Sequence, residues 1–351
     1  MHGGDIYSYG KVLDFSANVN PLGTPKLVEE SIRNSIPLLG SYPDNRCRKL
    51  RREISKVQGI PSEYIFCGNG ASEVIYRFVL ACFRKKHKAG EGLRALLPVP
   101  AFSEYEQALR LCAPVELCYY KIKPDTFQLD EDLLLELTRD LDVLFLCSPN
   151  NPTGVCIPQP LLHRVLDVCF EKQIRVFLDE SFLDFCEDGE EKSARGRLLE
   201  DPNLFLLKSF TKLYALAGLR LGYGMCADAS LLCEMEECGP PWSVSIPAQE
   251  AGCAALSEKE FVKKTREFIQ TERNFLISEM ERLGIRLVPG EANYILFQAQ
   301  ENLGDLLLKQ GILVRDCSDY VGLTKGYYRI AVRSREENER LIRALGFMTC
   351  I

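Results

Sequence analysis

A chain of 351 residues is long enough for a large α/β unit and a smaller one, each with ample core. Its 46% apolar, 9% aromatic and 26% charged residues are the mixture of an ordinary globular protein. The formal net charge of −6 gives no basis for nucleic-acid or membrane-surface binding, and no apolar run is long enough to span a membrane.

From about residue 60 to 225, short apolar runs alternate with longer amphipathic ones, as in a buried parallel sheet covered by helices. The predicted strands are Tyr64–Cys67, Arg94–Pro98, Val115–Tyr120, Val143–Cys147, Arg175–Asp179, Leu204–Ser209 and Leu221–Met225. Predicted helices cover Ser72–Phe83, Ser103–Leu111, Pro160–Gln173 and Ala229–Glu236, and the basic run Arg84–Lys88 reads as an exposed loop. The segment GPPWSVSIP (Gly239–Pro247) breaks the pattern. Beyond it come helices Ala248–Leu256 and Glu260–Leu283, strands near Tyr294–Phe297, Ile312–Arg315 and Tyr327–Val332, and a last helix Glu336–Leu345. The expectation is an α/β fold with a mostly parallel seven-stranded sheet in a large unit, residues 41–240, and a smaller α+β unit, residues 241–351. Residues 1–40 are expected to associate with the small unit and the active site.

The 15 cysteines form no C-x-x-C pair, and several lie inside apolar runs such as VLFLC. With no apolar targeting core in MHGGDIYSYG, they read as reduced, mostly buried thiols of a cytoplasmic protein. His2, His87 and His163 are widely scattered, so no metal site is expected from them.

In an open parallel sheet, ligands collect at the carboxyl ends of the strands. Four elements fall there. Gly68-Asn69-Gly70-Ala71-Ser72 opens a helix, and reads either as a tight turn or as a phosphate cradle of free amides. Ser148–Gly154 (SPNNPTG) reads either as a loop of turn-formers or as a rigid mount that points Asn151 at a ligand oxygen. Asp179 closes the apolar strand RVFLD, as a helix cap or as a desolvated carboxylate that needs a cation. In SFTKLYALAGLRLGY (Ser209–Tyr223), Ser209, Thr211 and Arg220 suit an anion, while Lys212 stands beside apolar packing that lowers an amine's pKa and makes it nucleophilic. A nucleophilic amine, an acid for a ring nitrogen, an amide for a ring oxygen and two phosphate-binding elements together suit pyridoxal 5′-phosphate. Lys212 would hold its aldehyde and move protons, Asp179 would keep the pyridine protonated, and Ser209 and Arg220 would grip the phosphate.

The order and spacing of these elements resemble the class I/II aminotransferases, the fold-type I enzymes dependent on pyridoxal phosphate. The resemblance implies a homodimer with active sites at the subunit interface. It implies further that Tyr42, in SYPD, reaches the neighbouring subunit's cofactor phosphate, and that Phe102 rather than Tyr105 stacks on the ring. Within the superfamily, the PNNPTG loop and the SYPD segment resemble the histidinol-phosphate aminotransferases. His2-Gly3-Gly4, Leu13–Asn18 with Asn20–Gly23, Pro241–Val244 and Tyr327–Ser334 resemble the threonine-phosphate decarboxylases more closely. That second resemblance implies decarboxylation of a phosphorylated amino acid for cobamide assembly. Arg329 would then take the α-carboxylate, and Arg315, His2 and Asn18 would surround the phosphate. Aminotransferases usually carry a tyrosine three residues beyond the pyridine-binding acid. Here that position is Phe182, which has no hydroxyl. A pyridoxal-phosphate fold used as a regulator without turnover is the third reading, and retention of Lys212 argues against it.

Overall fold

The computed structural model describes residues 3–87 and 92–349. Seven strands form one sheet: Ile65–Gly68 (β1), Leu93–Val99 (β2), Val115–Lys121 (β3), Val143–Cys147 (β4), Arg175–Asp179 (β5), Leu204–Ser209 (β6) and Gly222–Met225 (β7). Their spatial order is β1-β7-β6-β5-β4-β2-β3. Every pairing is parallel except the two made by β7, which runs antiparallel to β1 and β6. All five residues of β4 are buried, the expected state of a strand covered on both faces. Phe78 from the helix Gly70–His87 meets Phe145, Phe177 and Phe205 from three adjacent strands, with ring centroids 4.8–6.0 Å apart. Each such ring contributes about 1.5–3 kcal/mol by leaving water.

The register aligns the chemistry. Cys147 pairs with Asp179 and Asp179 with Leu207, so the loops after β4, β5 and β6 open on one edge. The antiparallel turn that pairs Ser209 with Gly222 folds residues 210–221 back over that edge. Gly222 permits this closeness: a Cβ there would stand 2.6 Å from the Ala71 nitrogen.

A second, antiparallel sheet runs Arg315–Asp316, Tyr327–Ala331, Tyr294–Gln298, Arg286–Leu287. The stretch expected as one strand, Ile312–Arg315, is divided between two sheets. Ile312–Leu313 pairs in parallel with Leu13–Asp14, whereas Arg315–Asp316 pairs with Tyr327–Ala331. Different neighbours on its two sides break the strand at Val314. The N-terminal segment is laced on further, since the Ala331 N–H donates to the Phe15 carbonyl at 2.8 Å.

Two helices, Lys26–Ser35 and Arg48–Gln58, lie where none was predicted. Their apolar residues stand at helical spacing, Val28 with Ile32 and Leu50 with Ile54 and Val57, so the period was present in the sequence within otherwise polar segments. The basic run is also not a loop. Arg84, Lys85 and Lys86 end the helix Gly70–His87, where cations complement the helix dipole. They pair with Glu234 and Glu237, with Asp228 and with Asp142 respectively.

Candidate active site

A cavity of about 220 Å³ opens at the carboxyl edge of the large sheet, between it and the strands carrying Arg315 and Arg329. Of the sequence-predicted residues, Asn18, Ala71, Ser72, Phe102, Asn151, Asp179, Ser209, Lys212, Arg220, Arg315 and Arg329 line it. Gly70 lies just behind. Its φ is +82°, and a Cβ would stand 2.7 Å from Arg220 Nη2, so the glycine makes room for the guanidinium. Gly70→Ala should therefore cost about 1–3 kcal/mol in backbone strain and displaced arginine. Thermal unfolding with and without cofactor would show it, with the larger loss in the cofactor-bound form. Tyr42 stands outside the cavity, exposed and stacked on Trp242 at 4.6 Å. His2 lies outside the described residues.

Lys212 sits on the single-turn helix Phe210–Leu213, capped by the Ser209 hydroxyl, which accepts from the Thr211 N–H. Asn20 fastens that turn from the N-terminal segment. Its backbone N–H donates to the Lys212 carbonyl at 3.0 Å and its side chain donates to the Leu213 carbonyl at 2.7 Å. Burial, then the Arg329 and Arg220 charges, lower the Lys212 amine to about 8. At pH 7 such an amine is roughly one-tenth deprotonated, against about one part in 3,000 at the ordinary lysine value. The rate at which the cofactor-free protein takes up pyridoxal phosphate should thus rise about tenfold per pH unit and level off above about 8. Stopped-flow absorbance across pH 6–10 checks this, and a rise continuing unbroken to pH 10 would contradict it.

Asp179 is buried at the end of β5. Its Oδ2 accepts from the Tyr105 hydroxyl at 2.6 Å and its Oδ1 from the Ser181 N–H at 2.8 Å. Burial pushes its carboxyl up, partly offset by these bonds, so the site favours a cationic partner. Tyr105, weighed earlier only as a stacking ring, thus serves Asp179, while Phe102 at 5.6 Å edge-to-face from it borders the cavity. Two other lining groups were not singled out in the sequence. Glu104 has a buried Oε2 without a hydrogen-bond partner among the described residues, and Tyr320 lies under Arg315, whose guanidinium carbon is 5.1 Å from its ring centroid. Neither carries a local motif that would mark it.

Arg329 is buried. One terminal nitrogen donates to Asn151 Oδ1, the other to the Ser16 carbonyl at 3.0 Å, and the guanidinium carbon lies 5.4 Å from the Tyr294 ring centroid. Among the described residues its Nε is buried without a hydrogen-bond partner, as is Asn18 Oδ1. Arg315 pairs with Asp319 at 2.8 Å. Phe182 closes one wall, edge-to-face with Tyr294 at 5.0 Å.

Unsatisfied polar atoms at the cavity wall, a free amine, a buried carboxylate and the glycine cradle behind Arg220 fit a bound group with an aldehyde, a basic ring nitrogen and a phosphate. The family described as "Aminotransferase class I and II" matches residues 10–345, and the chain belongs to it. It is therefore a pyridoxal-phosphate-dependent enzyme of that family. The threonine-phosphate decarboxylase of Salmonella typhimurium is 37% identical, the match covering 98% of this chain and 95% of that protein. The solved histidinol-phosphate aminotransferase of Clostridium acetobutylicum superposes with a TM-score of 0.88 at 28% identity, covering 97% of this chain and 99% of that one. The L-threonine-O-3-phosphate decarboxylase of Porphyromonas gingivalis gives 0.83 at 25% identity, covering 97% and 100%.

Proposed function

We propose that this chain decarboxylates a phosphorylated amino acid, L-threonine O-3-phosphate, to the phosphate ester of aminopropanol, the amine used in cobamide assembly. The observation that carries the reading is a pair of arginines. Arg315 and Arg329 are directly opposite in the antiparallel pairing of their strands, and both face the cavity that holds Lys212. A substrate with two anionic ends, carboxylate and phosphate, is what such a wall selects. The 37% identity to the Salmonella decarboxylase and the absence of a hydroxyl at Phe182 support decarboxylation over amino transfer.

Lys212 would hold the cofactor's aldehyde, Asp179 its ring nitrogen, Asn151 its ring oxygen, and Ser72, Ser209 and Arg220 its phosphate, with Phe102 against the ring. When bound, pyridoxal phosphate would supply an electron sink for a bond broken at the substrate Cα. Arg329 and Arg315 would set which bond at Cα is given up, by where they hold the substrate's carboxylate and phosphate. Lys212, once released from the cofactor by the substrate amine, would be the base that accepts a proton and the acid that returns one to Cα after the carboxylate departs. The neighbouring subunit of a homodimer would contribute Tyr42. The chain would divide near residues 40 and 240, with the N-terminal segment held against the smaller unit.

Incubation with threonine phosphate should release carbon dioxide and accumulate aminopropanol phosphate far beyond the amount of enzyme. A requirement for 2-oxoglutarate, with glutamate formed from histidinol phosphate, would replace this reading with the aminotransferase one. Arg329→Lys keeps the charge but loses the fork that meets Asn151, the Ser16 carbonyl and an anion together. A charge-assisted hydrogen bond is worth about 1.5–3 kcal/mol, so kcat/KM should fall roughly 10- to 150-fold. An unchanged value would place Arg329 outside the substrate site.

A further inference from the structure

A cluster of metal-ligating side chains lies apart from the cavity. Cys156 Sγ, Cys186 Sγ and a Glu291 carboxylate oxygen all lie within 4.8 Å of one another. Both thiols are free and buried, and with Leu183 they form a small apolar group separate from the two main cores. Glu291 is exposed on the open side. The three residues come from three segments that each lead to the active site. Cys156 follows the loop carrying Asn151, Cys186 ends the turn Leu183–Phe185 beyond Asp179, and Glu291 precedes the strand Tyr294–Gln298. The backbones are already pressed together there. The Glu291 N–H donates to the Gly154 carbonyl at 2.7 Å, and a Cβ on Gly290 would stand 2.7 Å from the Gly154 carbonyl carbon.

We propose that Cys156, Cys186 and Glu291 form a site for a thiophilic divalent cation of the zinc type. Two thiolates and a carboxylate are a known donor class for tetrahedral zinc, and the exposed side leaves the fourth position to water. A tetrahedral site with metal–sulfur bonds of about 2.3 Å puts neighbouring ligand atoms some 3.5–3.8 Å apart, within reach of a cluster confined to 4.8 Å. Binding displaces the two thiol protons to solvent, so no redox partner is involved. Charge also closes. Two thiolates, Glu291 and the Asp188 carboxylate carry four negative charges, and the cation, the Lys192 ammonium, which pairs with Glu291, and the neighbouring Arg273 guanidinium carry four positive. Lys192 keeps Asp188 as a second partner at 3.0 Å, so it can remain beside the site when the metal engages Glu291. Sequence spacing hides this set, because its three members are far apart in the chain and none lies in a C-x-x-C pair. A bound cation would pin the Asn151 loop to the segment leading into Tyr294, the ring under Arg329.

The test uses Co²⁺ as the metal, added to the cofactor-loaded protein under a non-thiol reductant. One equivalent per chain should give the intense visible bands of tetrahedral cobalt and a thiolate-to-cobalt charge-transfer band. Both should vanish in Cys156→Ser/Cys186→Ser, and Glu291→Gln, at an exposed position that tolerates change, should weaken binding at least roughly 10-fold. Zn²⁺ should raise the unfolding temperature of the wild-type protein and leave the double variant unmoved. Absence of the tetrahedral bands, or Co²⁺ binding equal in the wild type and Glu291→Gln, would overturn the proposal even if the double variant fails to fold.

Discussion

Lys212→Ala is expected to abolish steady turnover and covalent cofactor retention while leaving the protein folded. The fold should survive because the Lys212 position is held by its backbone. The Asn20 N–H binds the Lys212 carbonyl, and the Asn20 side chain binds the next carbonyl, neither of which alanine changes. Burial holds the Lys212 amine down at about 8, so its charged form opposes folding at neutral pH and its removal relieves that opposition. The cofactor-free variant should unfold at a temperature no lower than the wild type's. Loss of a positioned proton donor alone costs roughly 10²–10⁴ in rate, and loss of the covalent anchor adds to it. Stopped-assay product measurement would report the rate. Mass spectrometry after borohydride reduction would report the bond: the wild type should carry the cofactor on Lys212 and the variant nowhere. A variant that turns over within tenfold of the wild type, or a label on another lysine, would remove Lys212 from the centre of the mechanism.

What could be read from the sequence divides along physical lines. Strands β4, β5 and β6 were legible to the residue because they are buried on both faces, which leaves unbroken apolar runs ended by Cys147, Asp179 and Ser209. The site followed from strand ends, since a parallel sheet must bring its carboxyl edge loops together. Lys26–Ser35 and Arg48–Gln58 were legible in principle, since Val28 with Ile32 and Leu50 with Ile54 and Val57 stand at helical spacing, but they lie before the alternating stretch that marks the large sheet. The link from Tyr105 to Asp179 was hidden for a different reason. Tyrosine fits stacking as well as hydrogen bonding, and only the fold shows the Tyr105 hydroxyl 2.6 Å from Asp179. Arg315 and Arg329 entered the sequence reading only through the resemblance, because nothing local joins the two. Their cross-strand pairing is a matter of register, which depends on where the chain divides at Val314. The Cys156, Cys186 and Glu291 cluster is long-range throughout.

Asp179→Asn is expected to have the second largest effect, and it separates charge from shape. Asparagine keeps an acceptor for the Ser181 N–H at Oδ1 and a partner for the Tyr105 hydroxyl, so the strand end should stay as it is. What it loses is the negative charge that a protonated ring nitrogen pairs with. Breaking a buried ion pair by removing one charge costs about 3–5 kcal/mol, so kcat should fall roughly 150- to 5,000-fold. Tyr105→Phe is the control, because it leaves the charge and removes one hydrogen bond to it. That bond is worth about 1.5–3 kcal/mol, a roughly 10- to 150-fold effect. The order of the two variants therefore carries the test. If charge on Asp179 sustains the electron sink, Asp179→Asn must be slower than Tyr105→Phe, and the bound cofactor's absorption must shift in the first more than in the second. Equal rates, or the reverse order, would mean that Asp179 acts by fixing geometry and that the ring nitrogen takes its proton from elsewhere.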